Sequence, residues 1–163
     1  MITIKPIHAE YEDFLKEMLY QAIYIPEGEA PFDREELDEA HWKKYYAGWG
    51  KEGDIGFITL VESKFMGAIW ARLFTEEDRG YGFVDTQTPE LSMAILPAYR
   101  GRGVGTILMT RLLSDLQSNQ NIHQVSLSVD PRNWVYAWYK RLGFEEEYFD
   151  GYSYTLLKQI SSK

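Results

Sequence analysis

The sequence predicts a single α/β domain in which a sheet alternates with helices. Three observations carry this. Apolar residues switch along the chain between a two-residue and a 3.6-residue period, the marks of half-buried strands and helices. A glycine-rich turn, Arg100-Gly101-Arg102-Gly103-Val104-Gly105, joins an apolar strand to a helical stretch. And 163 residues, 45% apolar and 15% aromatic, are enough to bury a core within the size range of one domain.

Each element has its own signal. Ile2 and Ile4 alternate with polar residues towards Pro6, which suggests a short first strand. Tyr11, Phe14, Leu15, Met18, Leu19, Ala22 and Ile23 fall at helical spacing, and Ile25-Pro26 should stop that helix. Residues 26–39 are strongly acidic. A second helix is expected from Asp33 as N-cap, with Glu36 at the capping-box position, through Leu37, Trp42, Tyr45 and Tyr46 to Gly48. Asp54–Val61 and Lys64–Phe74 read as two strands around a tight turn at Glu62-Ser63, and Thr75–Thr88 as a connection holding Gly80 and Gly82. Leu91–Leu96 is the apolar strand before the glycine turn. Val104, Ile107, Leu108, Leu112 and Leu116 mark the long helix after it. Val125–Val129 is a further strand, Asn133–Leu142 a helix, and Phe144–Phe149 with Tyr152–Leu157 a closing hairpin around Asp150-Gly151. The predicted order is strand, two helices, three strands, helix, strand, helix, two strands.

The glycine turn is the strongest functional signal. A helix N-terminus leaves its first N–H groups unpaired and carries partial positive charge. Preceded by glycines, it lets a phosphate or pyrophosphate approach the backbone closely. Val104-Gly105-Thr106 lacks the Lys-Ser or Lys-Thr pair of a mononucleotide P-loop. Gly101, Gly103 and Gly105 stand in G-x-G-x-G order rather than the G-x-G-x-x-G of a dinucleotide fingerprint.

Two segments together narrow the choice. The run ILPAYRGRGVG, with Arg100-x-x-Gly103-x-Gly105 preceded by Pro97, resembles the cofactor loop of the GNAT-type acyl-CoA N-acyltransferases. Asn133-Trp134-Val135-Tyr136-Ala137-Trp138-Tyr139-Lys140-Arg141-Leu142-Gly143-Phe144 is similar to that family's later motif, in which an Asn precedes a helix ending in Tyr-x-x-Leu-Gly-Phe. The resemblance is specific from about Glu90 to Phe144; before that, only the order of elements agrees. Trp134 and Val135 stand where the family more usually has small residues or Pro-Ala, a departure that bears on the acceptor side.

The resemblance implies one acetyltransferase domain over 1–163, with a mixed, mostly antiparallel sheet, about four helices and a cleft where the central strand and the next splay apart. The pantetheine arm of acetyl-CoA lies in that gap. The cofactor-binding residues implied are Ile95, Leu96, Arg100, Gly101, Arg102, Gly103, Val104, Gly105, Thr106, Asn133 and Tyr139. The reaction implied is transfer of an acetyl group from coenzyme A to a primary amine of a small molecule or peptide, by direct attack in a ternary complex.

That chemistry sets three requirements. A primary amine is less than about one part in a thousand neutral at pH 7, so a base must take its proton. The developing oxyanion needs donors, and the leaving thiolate an acid. Glu90, at the start of the central strand, is the candidate base; otherwise it is a strand-edge carboxylate in solvent or the partner of an Arg. The Ile95 N–H is the candidate oxyanion donor. Tyr139, six residues after Asn133, is the candidate acid; otherwise it packs one helix face. Asn133 is expected to bond the pantetheine arm, to cap its helix, or both. Trp42, Trp49, Trp70, Tyr81, Phe83 and Trp138 are candidates for an acceptor rim, with ordinary core as the alternative.

Other classes have less support. With no cysteine, the chain has no disulfide, thiolate metal site or cysteine nucleophile. His8, His41 and His123 lie far apart with no metal spacing, so no metal is expected. No G-x-S-x-G elbow is present. A net charge of −8 argues against nucleic-acid binding. No apolar run reaches membrane-spanning length and no secretory signal is apparent, so no membrane partner and a cytoplasmic location are expected, with room for a homodimer. The non-catalytic rivals are an acyl-CoA-binding sensor or regulatory module and, more weakly, a nucleotide-binding regulatory domain.

Overall fold

The computed structural model describes residues 1–160. Strand β1 (Ile2–Pro6) leads into α1 (Glu12–Ala22) and a short α2 (Ala40–Lys43). Then come β2 (Ile55–Val61), β3 (Lys64–Arg72), β4 (Glu90–Ile95), α3 (Val104–Gln117), β5 (Gln124–Val129), α4 (Val135–Arg141), β6 (Glu145–Phe149) and β7 (Tyr154–Gln159). The seven strands form one sheet in the order β1-β2-β3-β4-β5-β7-β6. All neighbours are antiparallel except β4 and β5. The mixed α/β architecture and the element order agree with the sequence-based expectation. No helix among the described residues is long and apolar enough to cross a membrane.

Local chemistry accounts for the hairpins. Glu62 and Ser63 both take positive φ, 50° and 66°, which turns β2 tightly into β3. At the β6–β7 turn the Asp150 carboxylate accepts the N–H groups of Tyr152 and Ser153, and Gly151 supplies φ 101°.

The core lies in two layers, one on each face of the sheet. On one face α3 and α4 pack Leu108, Leu112, Leu116 and Tyr139 against Ile69, Leu91, Val125 and Leu127. On the other, α1 and the segment after α2 pack Leu15, Met18, Tyr45 and Tyr46 against Ile58, Trp70 and Ala94. Because strand side chains alternate, β4 sends Leu91, Met93 and Ile95 to the α3 face and Glu90 and Ala94 to the α1 face.

The second helix departs from expectation. Asp33 does cap a helical turn, accepting the Glu35 N–H at 2.9 Å, but that turn is a 3-10 segment, Arg34–Asp38. Glu39 is extended (ψ 148°), α2 has four residues, and no Glu36 capping box forms. Glu35 and Glu39, one helical turn apart, would repel on one face of a continuous helix. The Leu37 carbonyl is taken instead by the Tyr46 hydroxyl at 2.8 Å.

Candidate active site

The sheet parts where the glycine turn begins. β4 and β5 share one register pair, Glu90 with Ser126, fixed by the Ser126 N–H on the Pro89 carbonyl at 3.0 Å. Beyond it the two strands do not pair. The Leu96 N–H donates to the Met66 carbonyl at 2.8 Å, so the even-numbered residues of β4 bond β3. Alternation then turns the N–H groups of Met93 and Ile95 away from β3 and into the gap. The Ile95 N–H, the candidate oxyanion donor, therefore faces the gap, and the Met93 N–H faces it as well.

At the end of β4 the chain crosses the glycine turn into α3. Gly101 and Gly103 have φ 76° and 79°, and a Cβ on either would meet nothing within 4 Å. Among the described residues, no protein group accepts from the N–H groups of residues 101–106, whereas the Ile107 N–H is bonded to the Gly103 carbonyl. A row of free amides at the positive end of a 14-residue helix fits a pyrophosphate. The Val104 side chain is buried core, so only its N–H faces the turn; Thr106 is exposed in the first helical turn.

Several expected ligands have other duties. Leu96 spends both main-chain groups internally, its N–H on Met66 and its carbonyl on Tyr99, and its side chain packs on the α1 face. Neither its backbone nor its side chain is turned towards the gap, unlike the Ile95 N–H beside it. Arg100 folds back, Nε to the Ile95 carbonyl at 2.9 Å and Nη2 to Gln21 at 3.4 Å, bracing the end of β4. Arg102 is exposed, with its guanidinium 5.9 Å from the Tyr99 ring centroid. The Asn133 side-chain oxygen accepts the Val135 N–H at 3.2 Å, a helix-capping bond that leaves its amide nitrogen unpaired.

The aromatic candidates separate. Trp70 is fully buried and donates to the Tyr45 carbonyl; Trp49 donates to the Ile7 carbonyl and faces Arg72. Both are structural rather than acceptor rim. Trp138 sits with Met93 against Gly105, beside the glycine turn. Trp42 and Tyr81 lie 5.1 Å apart by ring centroids on the α1 side, with Tyr81 half exposed.

Tyr139 is 6% exposed, and its hydroxyl has no hydrogen-bond partner, yet that oxygen is not sealed from solvent. Burial pushes its pKa well above the usual phenol value, so it is protonated at neutral pH.

Glu90 is 4% exposed, on the opposite face. Its Oε2 accepts the Tyr45 hydroxyl at 2.6 Å and its Oε1 has no partner. A Cβ on Gly80 would come within 2.1 Å of that oxygen. Directly across the strand pair, Arg72 offers nothing: its guanidinium is saturated by Asp54 and by the carbonyls of Lys44, Ala47 and Gly48. Burial therefore raises Glu90 from 4.5 to about 7, held back by the Tyr45 hydroxyl, the Gly82 N–H and the Lys44 charge. This is neither the solvated carboxylate nor the Arg partner of the alternative reading.

A raised carboxyl pKa stabilises the fold only while the group is protonated. That contribution is whole below the unfolded value near 4.5 and is lost as pH climbs through about 7. Glu90→Gln, which never ionises, is expected to be more stable than the parent at pH 8 by about 3 kcal/mol, with the difference shrinking towards zero at pH 5. Urea unfolding at the two pH values measures it.

The model of the acetyltransferase (GNAT) family matches residues 16–144. The chain belongs to this family. Solved structures share the fold of this GNAT chain. The paia N-acetyltransferase of Thermoplasma acidophilum, in complex with coenzyme A, has a TM-score of 0.70 at 19% identity over 98% of this chain and 99% of that one. The ribosomal-protein-S18-alanine N-acetyltransferase of Escherichia coli gives 0.68 at 18% identity over 100% and 96%. The spermidine/spermine N-acetyltransferase SpeG of Vibrio cholerae, in complex with manganese ions, gives 0.60 at 20% over 98% and 93%. No curated protein sequence matches the chain.

Three parts of this candidate site had no signal in the sequence. The Met93 N–H would have followed from the strand's alternation once the β3 register was known. Gly80 was visible only as a loop glycine, and nothing local to Tyr45 points to Glu90, 45 positions away.

Proposed function

We propose that this GNAT chain is an N-acetyltransferase that moves the acetyl group of acetyl-CoA to a primary amine of a small molecule or peptide, by direct attack in a ternary complex. The observation that carries this reading is the gap between β4 and β5, lined by main-chain N–H groups with no strand to bond and continuous with the free amides of residues 101–106. Those amides and Arg102 hold the phosphates, and the amide nitrogen of Asn133 is free for the pantetheine arm. When bound, acetyl-CoA supplies an activated acyl carbon with a thiolate leaving group.

The protein supplies the rest from two faces. Glu90 lies on the α1 face and Tyr139 on the α3 face. A nucleophile and a leaving group occupy different sides of an acyl carbon, and a gap in the sheet is a place where both faces reach the same atom. Along the strand Glu90 is roughly 10 Å from Met93 and roughly 17 Å from Ile95. An acyl oxygen received at the Met93 N–H is thus better placed for a base at Glu90, through an intervening water, and the Ile95 N–H serves the arm behind it. Glu90, with its pKa near 7, takes the amine proton. Tyr139 remains protonated and donates a hydrogen bond to the departing sulfur. Its high pKa makes that bond, rather than complete proton transfer to a thiolate of ordinary pKa near 8.5, its main contribution.

An acetyl-CoA turnover screen over small amines, polyamines and peptides tests the reading by free thiol. The chain has no cysteine, so the protein adds no background. Turnover with at least one amine supports the proposal. Tight acetyl-CoA retention with no turnover on any amine would instead make the chain an acyl-CoA sensor. Tyr139→Phe is expected to lower kcat roughly 10²-fold with little change in coenzyme A affinity, measured by steady-state kinetics and calorimetry. Glu90→Gln should flatten the acidic limb of kcat/KM, since activity through a base requires the ionised form that appears above about pH 7.

A further inference from the structure

A buried carboxylate with no countercharge must be held by neutral groups. Around Glu90 these converge on one side chain. The Tyr45 hydroxyl donates to Glu90 Oε2 at 2.6 Å and accepts the Tyr81 N–H at 2.7 Å. Its ring is fixed against Phe74 and Trp42, and its carbonyl takes the Trp70 indole N–H at 2.8 Å. The hydroxyl is therefore oriented: one of its lone pairs takes the Tyr81 N–H and its proton is aimed at Glu90.

The other side of the carboxylate is shaped by the same loop. Gly80 leaves room for Oε1 where any Cβ would collide with it, and the Gly82 carbonyl is pinned to β5 by the Ser126 hydroxyl at 2.6 Å. Thr155 Oγ1 on β7 holds the Tyr81 carbonyl at 3.4 Å. The connection between β3 and β4 is thus stitched to β5 and β7 and presents to Glu90 a glycine-shaped space and the Gly82 N–H, while the hydrogen-bonding hydroxyl comes from Tyr45, after α2.

We propose that Tyr45 is a positioning residue that sets the proton affinity of Glu90 and links it to the ordering of the 80–82 loop. The proposal rests on the reading of Glu90 as the base. In the ionised state Glu90 accepts a hydrogen bond from the Tyr45 hydroxyl, which in turn accepts one from the Tyr81 N–H. The charged groups facing this network are few. Lys44 precedes Tyr45 and is paired with Asp78 at 2.8 Å, Arg72 on β3 is saturated, and Tyr81 contributes its main chain. None replaces the Tyr45 hydroxyl as a donor to Oε2. Removing it leaves the carboxylate with neither oxygen bonded to a side chain, which favours the neutral acid.

The test is the titration of Glu90 itself, followed by carbon NMR in protein labelled at glutamate carboxyls and assigned by the signal that Glu90→Gln deletes. In Tyr45→Phe, which keeps the ring and the carbonyl contact to Trp70, the Glu90 midpoint is expected to rise by about one pH unit and the Tyr81 amide to exchange faster with solvent. A midpoint that is unchanged or falls overturns the proposal. Uniform 3-fluorotyrosine labelling is the second measurement, should Tyr45→Phe fail to fold. It makes the phenol a stronger donor without removing it, and should lower the midpoint; a rise or no movement overturns the proposal. Neither titration needs acyl transfer. A chain that turns over no amine can still show the Tyr45 effect, and a chain that acetylates amines can lack it.

Discussion

Gly103→Glu is expected to abolish coenzyme A binding while leaving the fold intact. In the free protein the position has room, since a Cβ there would meet nothing within 4 Å, so steric collision is not the reason. Its φ of 79° costs a side-chain-bearing residue about 1–2 kcal/mol. A carboxylate beside the first turn of α3 is favourable to the helix and recovers part of that. The same favourable contact is what destroys the site: the glutamate occupies the amides of residues 101–106 and repels the phosphates that would otherwise sit there. The expected loss of affinity is at least about 100-fold, with the unfolding midpoint nearly unchanged. Gly103→Ala, which carries the strain without the charge, should lose far less. Calorimetric titration with coenzyme A alongside thermal unfolding separates the two; a Glu variant that still binds like the parent would place the anion elsewhere.

The second large effect is on stability. Arg72→Met should destabilise the protein by about 3–5 kcal/mol. Arg72 and Asp54 are each 3% exposed at the side chain, with Nε to Oδ1 at 2.9 Å and Nη2 to Oδ2 at 3.0 Å. Methionine fills a similar volume but strands the Asp54 carboxylate and three carbonyls that the guanidinium now satisfies. Asp54 keeps only the N–H groups of Gly50 and Lys51. Those carbonyls belong to Lys44, Ala47 and Gly48, so the variant also loosens the segment that carries Tyr45. Guanidinium unfolding reads the stability change. A loss below about 1 kcal/mol would mean that solvent reaches the pair.

Most of the architecture could be read from local signals, because strands, the long helix and the hairpins depend on periodicity and turn chemistry that neighbouring residues settle among themselves. The glycine turn was legible for the same reason. What escaped depends on residues distant in sequence. The segment after Asp33 has the spacing of a helix, but its clustered acids and the Tyr46 bond to the Leu37 carbonyl break it. Leu96 adjoins the turn in sequence while its backbone belongs to β3 and the Tyr99 turn. Glu90 is marked in the sequence by its place at the start of the central strand and by the family resemblance; that it is buried, without a countercharge and hydrogen-bonded by Tyr45 follows only from the folded chain. The Arg72–Asp54 pair, 18 positions apart, had no local mark at all.

A single rung joins the two halves of this sheet, β1 to β4 on one side and β5 to β7 on the other. Continuity has been given up at that seam, and the amides left over are the ones a substrate would use. A molecule lodged there touches both slabs and rivets them. Its affinity should then reappear as resistance to heat, growing by about 1.4 kcal/mol for each tenfold excess over Kd.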